Sequence, residues 1–277
     1  MGKPIDLKKH QLLMLNIMSE FASFCDEHNL NYYLDAGTLL GAVRHHGFIP
    51  WDNDADLCMT KPDFDKFIEL MENKDYKLND HLVVEKPENS IHTFYKICDT
   101  RTKLVEYPDG ITPFEYHVYI DLFVKVGLPN NDKKAKKVCN KSERLGLWHW
   151  FYKRTIYKWA NSNNVFKRLI GKFEITFVKN KNKAYQKQKR FINLINIKYP
   201  FNSCEYVTTL TNGEYYRRCK RKYFDDFVIM DFENKKFKCP IGYVEWLRVL
   251  YGDNYMNIPP KEKRIVHNTI VEWRDNG

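Results

Sequence analysis

The chain has 277 residues, of which 43% are hydrophobic and 29% charged, with a formal net charge of +10. This length and composition are typical of a globular core in one large domain or two small ones. The chain contains no run of about 18 apolar residues, so we expect no transmembrane helix, and its polar N-terminus argues against a secretory signal.

Seven cysteines are scattered along the chain, and none of them forms a CxxC pair. A zinc site is therefore not expected. An odd number of cysteines without a signal sequence predicts reduced thiols and a cytoplasmic location. The positive charge favours an anionic partner, which could be a nucleotide, a nucleic acid or an anionic membrane surface.

The N-terminal half alternates helix and strand patterns. Apolar residues three and four apart indicate helices, and runs of β-branched and aromatic residues indicate strands. In chain order, the predicted elements are a helix over 7–28, a strand over 32–34 ended by Gly37 and Thr38, a helical turn over 38–44, a strand over 55–59, a helix from Pro62 to Met71, and a strand over 118–124.

The composition changes over residues 130–205, which are basic with interleaved aromatic residues and predict mostly helices. Beyond this region, residues 224–240 are strand-like and residues 243–251 predict a helix. The simplest organisation is a single catalytic domain over 1–277 that carries a basic helical insertion over 130–205.

Paired carboxylates mark the predicted strand over 55–59. Residues two apart on a strand point to the same face, so Asp54 and Asp56 would project together while Ala55 and Leu57 face the core. Two adjacent carboxylates repel each other unless they share a proton or a divalent cation. If the strand that carries Asp121 is a neighbour, that residue completes a three-carboxylate Mg²⁺ site suited to phosphoryl transfer.

Taken alone, an Asp-x-Asp pair is more often part of a loop or a cap, and its context is what favours a functional site. Gly37 and Thr38 lie between a strand and a helix, where backbone N–H groups can hold a phosphate. Arg44 and Lys96 could contact anionic oxygens, although each alone is more often a surface charge.

The segment LDAGTLLGAVRHHGFIPWDNDADLCM, residues 34–59, closely resembles the signature of the LicD family, in the nucleotidyltransferase-like superfamily. The superfamily pattern is a Gly-Ser or Gly-Thr turn, a helix, Asp-x-Asp on a strand and a third acidic residue on a later strand. Gly37, Thr38, Asp54, Asp56 and Asp121 match these positions. The resemblance implies an α+β fold, with a mixed β-sheet core flanked by helices.

The resemblance extends to the C-terminal run over 237–260, which is followed by Arg264 and His267. The family usually has WDDDID where this chain has WDNDAD, and strand alternation turns Asn53 away from the carboxylate pair. Asp52 also matches an acidic position of the family, and we rank it below Asp54, Asp56 and Asp121.

LicD-like enzymes transfer a phospho-alcohol from a CDP-activated donor to a glycan hydroxyl. The resemblance implies that Mg²⁺, or Mn²⁺, would bridge the donor pyrophosphate to Asp54 and Asp56, and that Gly37 and Thr38 would cradle a phosphate. Arg44 and Lys96 would stabilise developing charge. Asp121 would either bind the metal or accept the proton of the attacking hydroxyl, and the sequence does not separate these two roles.

Residues 145–160 mix aromatic rings with lysine and arginine, a composition that suits a peripheral contact with a membrane. The alternative is that the rings pack the insertion against the catalytic domain while the lysines are solvated. No nucleic-acid reader motif is present, so nucleic-acid binding is not expected.

The resemblance favours phosphocholine as the transferred group, with ribitol phosphate or glycerol phosphate next, and a cell-surface glycan or its lipid-linked precursor as acceptor. A nucleotidyltransferase that moves NMP from an NTP would use the same carboxylates, and a non-catalytic scaffold is a further alternative. The Lys- and Asn-rich composition favours a bacterial source and the decoration of capsule, teichoic acid or lipopolysaccharide.

Overall fold

The computed structural model describes residues 4–107, 110, 112–177, 183–210, 217–264 and 269–274. The helices are α1 Leu7–Glu27, α2 Ala36–His45, α3 Lys61–Glu72, α4 Asp132–Ala160, α5 Val165–Phe177, α6 Lys183–Lys198 and α7 Tyr243–Tyr251. The strands are β1 Tyr33–Leu34, β2 Asp56–Thr60, β3 Leu82–Glu85, β4 Tyr95–Glu106, β5 Phe114–Leu128, β6 Tyr206–Thr208, β7 Cys219–Lys220, β8 Phe227–Phe232, β9 Lys235–Pro240 and β10 Thr269–Trp273.

Within these ranges, eight strands form one mixed sheet whose central path is β1-β2-β5-β4-β10. Strands β2 and β5 are parallel, whereas β4 runs antiparallel to β5 and also pairs with β3 and β10. Strands β8 and β9 form a separate hairpin. Helices flank the mixed sheet, which confirms the predicted α+β class.

Helix α1 packs its apolar stripe against the sheet. Its N-cap is Asp6, whose side chain accepts a hydrogen bond from the backbone N–H of Lys9. Met14, Ile17 and Phe21 are fully buried, and burial of each such side chain contributes about 1.5–3 kcal/mol. The helix predicted over 7–28 is therefore confirmed, and it ends one residue earlier, at Glu27. Its apolar spacing matches the helical period.

The predicted helices of the basic region are present as α4, α5 and α6. A second, smaller apolar cluster joins α4 and α6 to the end of β5. Two inward-facing side chains of α4 also tie it to the loop before β4: the His149 ring lies 3.0 Å from the Ser90 carbonyl, and Lys153 Nζ donates to the Glu88 carbonyl at 2.6 Å. None of the helices described is long and apolar enough to cross a bilayer. The assignment of 130–205 as an insertion in a single domain stays a prediction.

Candidate active site

Strand pairing brings the predicted carboxylates together. Asp56 of β2 lies directly opposite Asp121 of the parallel strand β5. On the other side of Asp121, Lys96 of β4 is its antiparallel partner. The three charged residues therefore lie in one row across three neighbouring strands. The strand of Asp121 is thus a neighbour of the strand of Asp56, which was the condition for Asp121 to join the cluster.

The segment before β2 carries the other acidic side chains. Ala55 and Leu57 are buried, as strand alternation predicts, and Asp54 precedes the first residue of β2. The buried Gln11 of α1 holds this segment by donating to the backbone carbonyl of Asp52 at 2.9 Å. Asn53 is turned toward β10, where its amide donates to the Thr269 hydroxyl at 2.9 Å.

The start of α2 is fitted tightly against β2. Ala36 has a φ of 41°, a left-handed conformation that is strained in a non-glycine residue. A Cβ at Gly37 would lie 3.0 Å from Oδ2 of Asp52, so glycine allows this carboxylate to approach the helix. The Thr38 hydroxyl accepts a hydrogen bond of 2.8 Å from the backbone N–H of Asp56. Thr38 thereby fixes the carboxylate strand to the helix.

A cleft of about 410 Å³ opens beside the carboxylates. It brings together six of the residues that the sequence singled out, which are Gly37, Arg44, Asp52, Asp54, Asp56 and Arg264. Thr38, Lys96 and Asp121 are buried behind it, at 4%, 0% and 8% exposure. His267 lies outside the described residues.

Basic side chains line the same cleft as the carboxylates. Nη1 of Arg44 donates to the carbonyls of Tyr255 and Asn257, at 3.0 and 3.1 Å, and so holds the segment after α7. The Arg264 guanidinium lies 4.0 Å from the centre of the Trp51 ring. Lys263 also lines the cleft. Lys263 was not predicted from the sequence, where its position next to Arg264 is the one signal for it.

The electrostatics of the cluster reflect burial and mutual repulsion. Burial raises the pKa of the Asp56 carboxyl well above its usual range, and repulsion from Asp54 and Asp121 raises it further. Close carboxylates in a low-dielectric site resist simultaneous ionisation. A cation bound between Asp54 and Asp56 would relieve this repulsion.

Asp121 forms a buried ion pair with Lys96. Nζ of Lys96 lies 2.7 Å from Oδ1 of Asp121 and 3.3 Å from the centre of the Tyr119 ring. Burial opposes the charge on Lys96, but the attraction of Asp121 and then of Glu106 keeps its pKa above the ordinary value. Lys96 is thus a charged partner of Asp121 inside the protein, away from the wall of the cleft.

Asp35 and Lys125 form a second buried ion pair, which was not predicted from the sequence. Asp35, the N-cap of α2, lies 2.5 Å from Nζ of Lys125 and accepts a hydrogen bond of 2.6 Å from the Trp246 indole. These three residues and Asp56 line a small cavity of about 90 Å³ next to the cleft. The available signal was Lys125 itself, a charge in an apolar strand four residues after Asp121 and on the same face.

The carboxylate pair fits a hard divalent cation, because Asp54 and Asp56 supply oxygen ligands at one wall of the cleft. The described residues contain no group of three or more His, Cys, Asp or Glu side chains arranged around one metal position. Asp121 is turned to Lys96 in this structure. The three-carboxylate metal site therefore stays a prediction, with Asp54 and Asp56 as its core.

The mixed sheet, the helix that starts at Ala36-Gly37-Thr38 and the carboxylates of the β2 region and β5 match the arrangement that the resemblance to nucleotidyltransferase-like domains implied. Residues 29–134 match the family model described as "LicD/FKTN/FKRP, nucleotidyltransferase domain". These residues contain every described element that carries an acidic side chain of the cluster.

The similarity to one curated relative runs through nearly the whole chain. The chain is 29% identical to the lipopolysaccharide cholinephosphotransferase LicD of Haemophilus influenzae over 273 residues, which is 96% of this chain and 97% of the relative. An uncharacterized protein of Rickettsia typhi is 34% identical over 64 residues, covering 23% of this chain and 21% of that protein. One of Rickettsia prowazekii is 41% identical over 49 residues, covering 18% of each. The resemblance of the sequence to the LicD family is therefore confirmed by the match over residues 29–134 and by the similarity to the Haemophilus influenzae LicD along nearly the whole chain.

Proposed function

We propose that this protein transfers a phospho-alcohol group from a CDP-activated donor to a hydroxyl of a cell-surface glycan or its lipid-linked precursor. Phosphocholine is the first candidate, because the relative that matches along nearly the whole chain is a lipopolysaccharide cholinephosphotransferase. The observation that carries the proposal is the cleft that Asp54 and Asp56 line together with Arg44 and Arg264.

In the proposed reaction, the acceptor hydroxyl oxygen attacks the donor phosphorus that carries the alcohol. A new phosphorus–oxygen bond forms, the bond to CMP breaks, and CMP leaves with the electron pair. The hydroxyl proton passes to a carboxylate of the cluster, a transfer that needs contact within hydrogen-bond distance. Asp54 and Asp56 would hold Mg²⁺, or Mn²⁺, which when bound neutralises pyrophosphate charge.

The chain's other residues would orient the donor. Arg264 and Lys263 line the cleft and would stabilise phosphate oxygens, as preorganised charges do in transition states. Arg44 would fix Tyr255 and Asn257, which also line the cleft. Thr38 would hold Asp56 through its backbone. Burial raises the pKa of the Asp121 carboxyl, and Lys96 would oppose this by favouring the ionised form.

The proposal is tested by incubating the protein and Mg²⁺ with CDP-choline, CDP-ribitol or CDP-glycerol, and measuring CMP with and without candidate glycans. We expect CMP from one donor, and a fall of at least 100-fold in Asp54→Asn. The matched control is Asp231→Asn, because Asp231 is an exposed carboxylate on the β8–β9 hairpin. If no donor yields CMP, or if Asp54→Asn retains full activity, the proposal is wrong.

Nucleotidyl transfer is a second candidate, because the matching family model is described as a nucleotidyltransferase domain. Release of pyrophosphate from an NTP, with no CMP from CDP-alcohols, would favour it. Failure of every donor to bind in the presence of Mg²⁺ would favour the non-catalytic scaffold. The cytoplasmic location stays a prediction.

A further inference from the structure

Helix α5 has an amphipathic sequence whose apolar face points away from the protein. Among residues 165–174, Gly171 is the buried position of this helix, and a Cβ there would overlap the backbone of Ala160 in α4. At about 100° per residue, the apolar side chains over 165–173 fall within an arc of about 140° roughly opposite Gly171. They are Val165, Phe166, Leu169, Ile170 and Phe173, with exposures from 44% to 80%.

Helix α4 presents a similar outward face. Leu147, Trp148 and Phe151 are each at least half exposed, whereas His149 and Lys153 on the opposite side are buried. We define these three residues and the five apolar residues of α5 as the outward surface. The composition of residues 145–160 suits a peripheral membrane contact, and α5 extends the exposed apolar side chains beyond that range.

We propose that the outward surface binds an anionic lipid bilayer, with α5 lying in the interface. Lys167 flanks the apolar arc on one side, and Arg168 and Lys172 flank it on the other. Helices of this kind bury their apolar face at the headgroup boundary while basic side chains reach anionic headgroups. The proposal concerns lipid binding alone and does not depend on the transfer reaction.

The charge distribution favours a membrane over a second copy of the chain. A two-fold interface brings the same surface of two subunits together, so it would place these cations against each other. Glu174 is the one acidic residue of α5, and it already accepts a hydrogen bond of 2.8 Å from the Tyr152 hydroxyl. An anionic bilayer supplies the opposite charge over the whole surface.

The test is flotation of the full chain with vesicles of phosphatidylcholine alone or mixed equally with phosphatidylglycerol. We expect binding to the mixed vesicles, reduced at least tenfold by the double variant Phe166→Ser, Phe173→Ser. The matched control is Leu12→Ser with Ile229→Ser, which removes two exposed apolar side chains from α1 and β8 and should leave binding unchanged. Replacing Lys167, Arg168 and Lys172 with glutamine should weaken binding about fivefold per charge.

Three results would overturn the proposal. The first is the absence of flotation with mixed vesicles, and the second is equal flotation of the phenylalanine and control variants. The third is a dimer in light scattering that the phenylalanine variant dissociates, because the outward surface would then be covered by a second copy. The substituted side chains are exposed, and circular dichroism verifies that each variant is folded.

Discussion

The buried ion pair of Asp35 and Lys125 allows a prediction of the free energy of unfolding of variants that lack one or both charges. Their side chains are 4% and 2% exposed, and the Trp246 indole donates to Asp35 while its ring lies 4.4 Å from Nζ of Lys125. Removal of one partner from a buried ion pair leaves an uncompensated charge and costs about 3–5 kcal/mol. We expect Lys125→Met to lower the free energy of unfolding by this amount.

Urea unfolding followed by circular dichroism measures the loss, and the double variant Asp35→Asn, Lys125→Met measures the coupling. Because the double variant leaves no buried charge, we expect it to be more stable than Lys125→Met by at least about 2 kcal/mol. The matched control is Lys236→Met, which breaks an exposed pair with Asp231 at 2.7 Å and should cost less than about 1 kcal/mol. Equal losses for Lys125→Met and Lys236→Met would refute the reasoning.

Three further measurements address the site and the insertion. Thr38→Val removes the acceptor of the Asp56 N–H, so it should lower the free energy of unfolding by about 1–3 kcal/mol and reduce activity, whereas Thr38→Ser should retain both. Gly37→Ala places a Cβ 3.0 Å from Oδ2 of Asp52. We expect the rate of CMP release to fall about tenfold, equivalent to about 1.4 kcal/mol. A normal rate would show that Asp52 can move. Burial lowers the pKa of His149 to about 4, so the unfolded chain binds its proton first. His149 alone should therefore lower the free energy of unfolding by about 3 kcal/mol as the pH drops from 6.5 to 4, and His10, whose pKa burial also lowers to about 4, adds to the fall. Urea unfolding across this range measures the slope, which His149→Gln should reduce.

The local elements of this protein could be read from its sequence. Helix α1, helix α7 and strand β5 each carry a period or a composition that selects one conformation, and the structure confirms all three. Alternation along the β2 region also placed Asp54 and Asp56 opposite the buried Ala55. These features depend on residues within a few positions of each other, so the sequence alone contains the needed information.

The roles of single charged residues depended on contacts between distant segments. Lys96 resembled a ligand for the donor, yet it lies fully buried against Asp121, 25 positions away. Lys125 was not singled out, although it pairs with Asp35 across 90 positions. No periodicity encodes such pairs, because strand order and register decide them.

The sequence by itself therefore determined the α+β class, the helical character of the basic region and the carboxylates that mark the site. The tertiary structure decided which side chains face the cleft, which charges neutralise each other in the core and which way the apolar face of α5 points. The physical reason is that the direction of a side chain within its element is local, whereas its neighbours and its exposure are set by how elements pack.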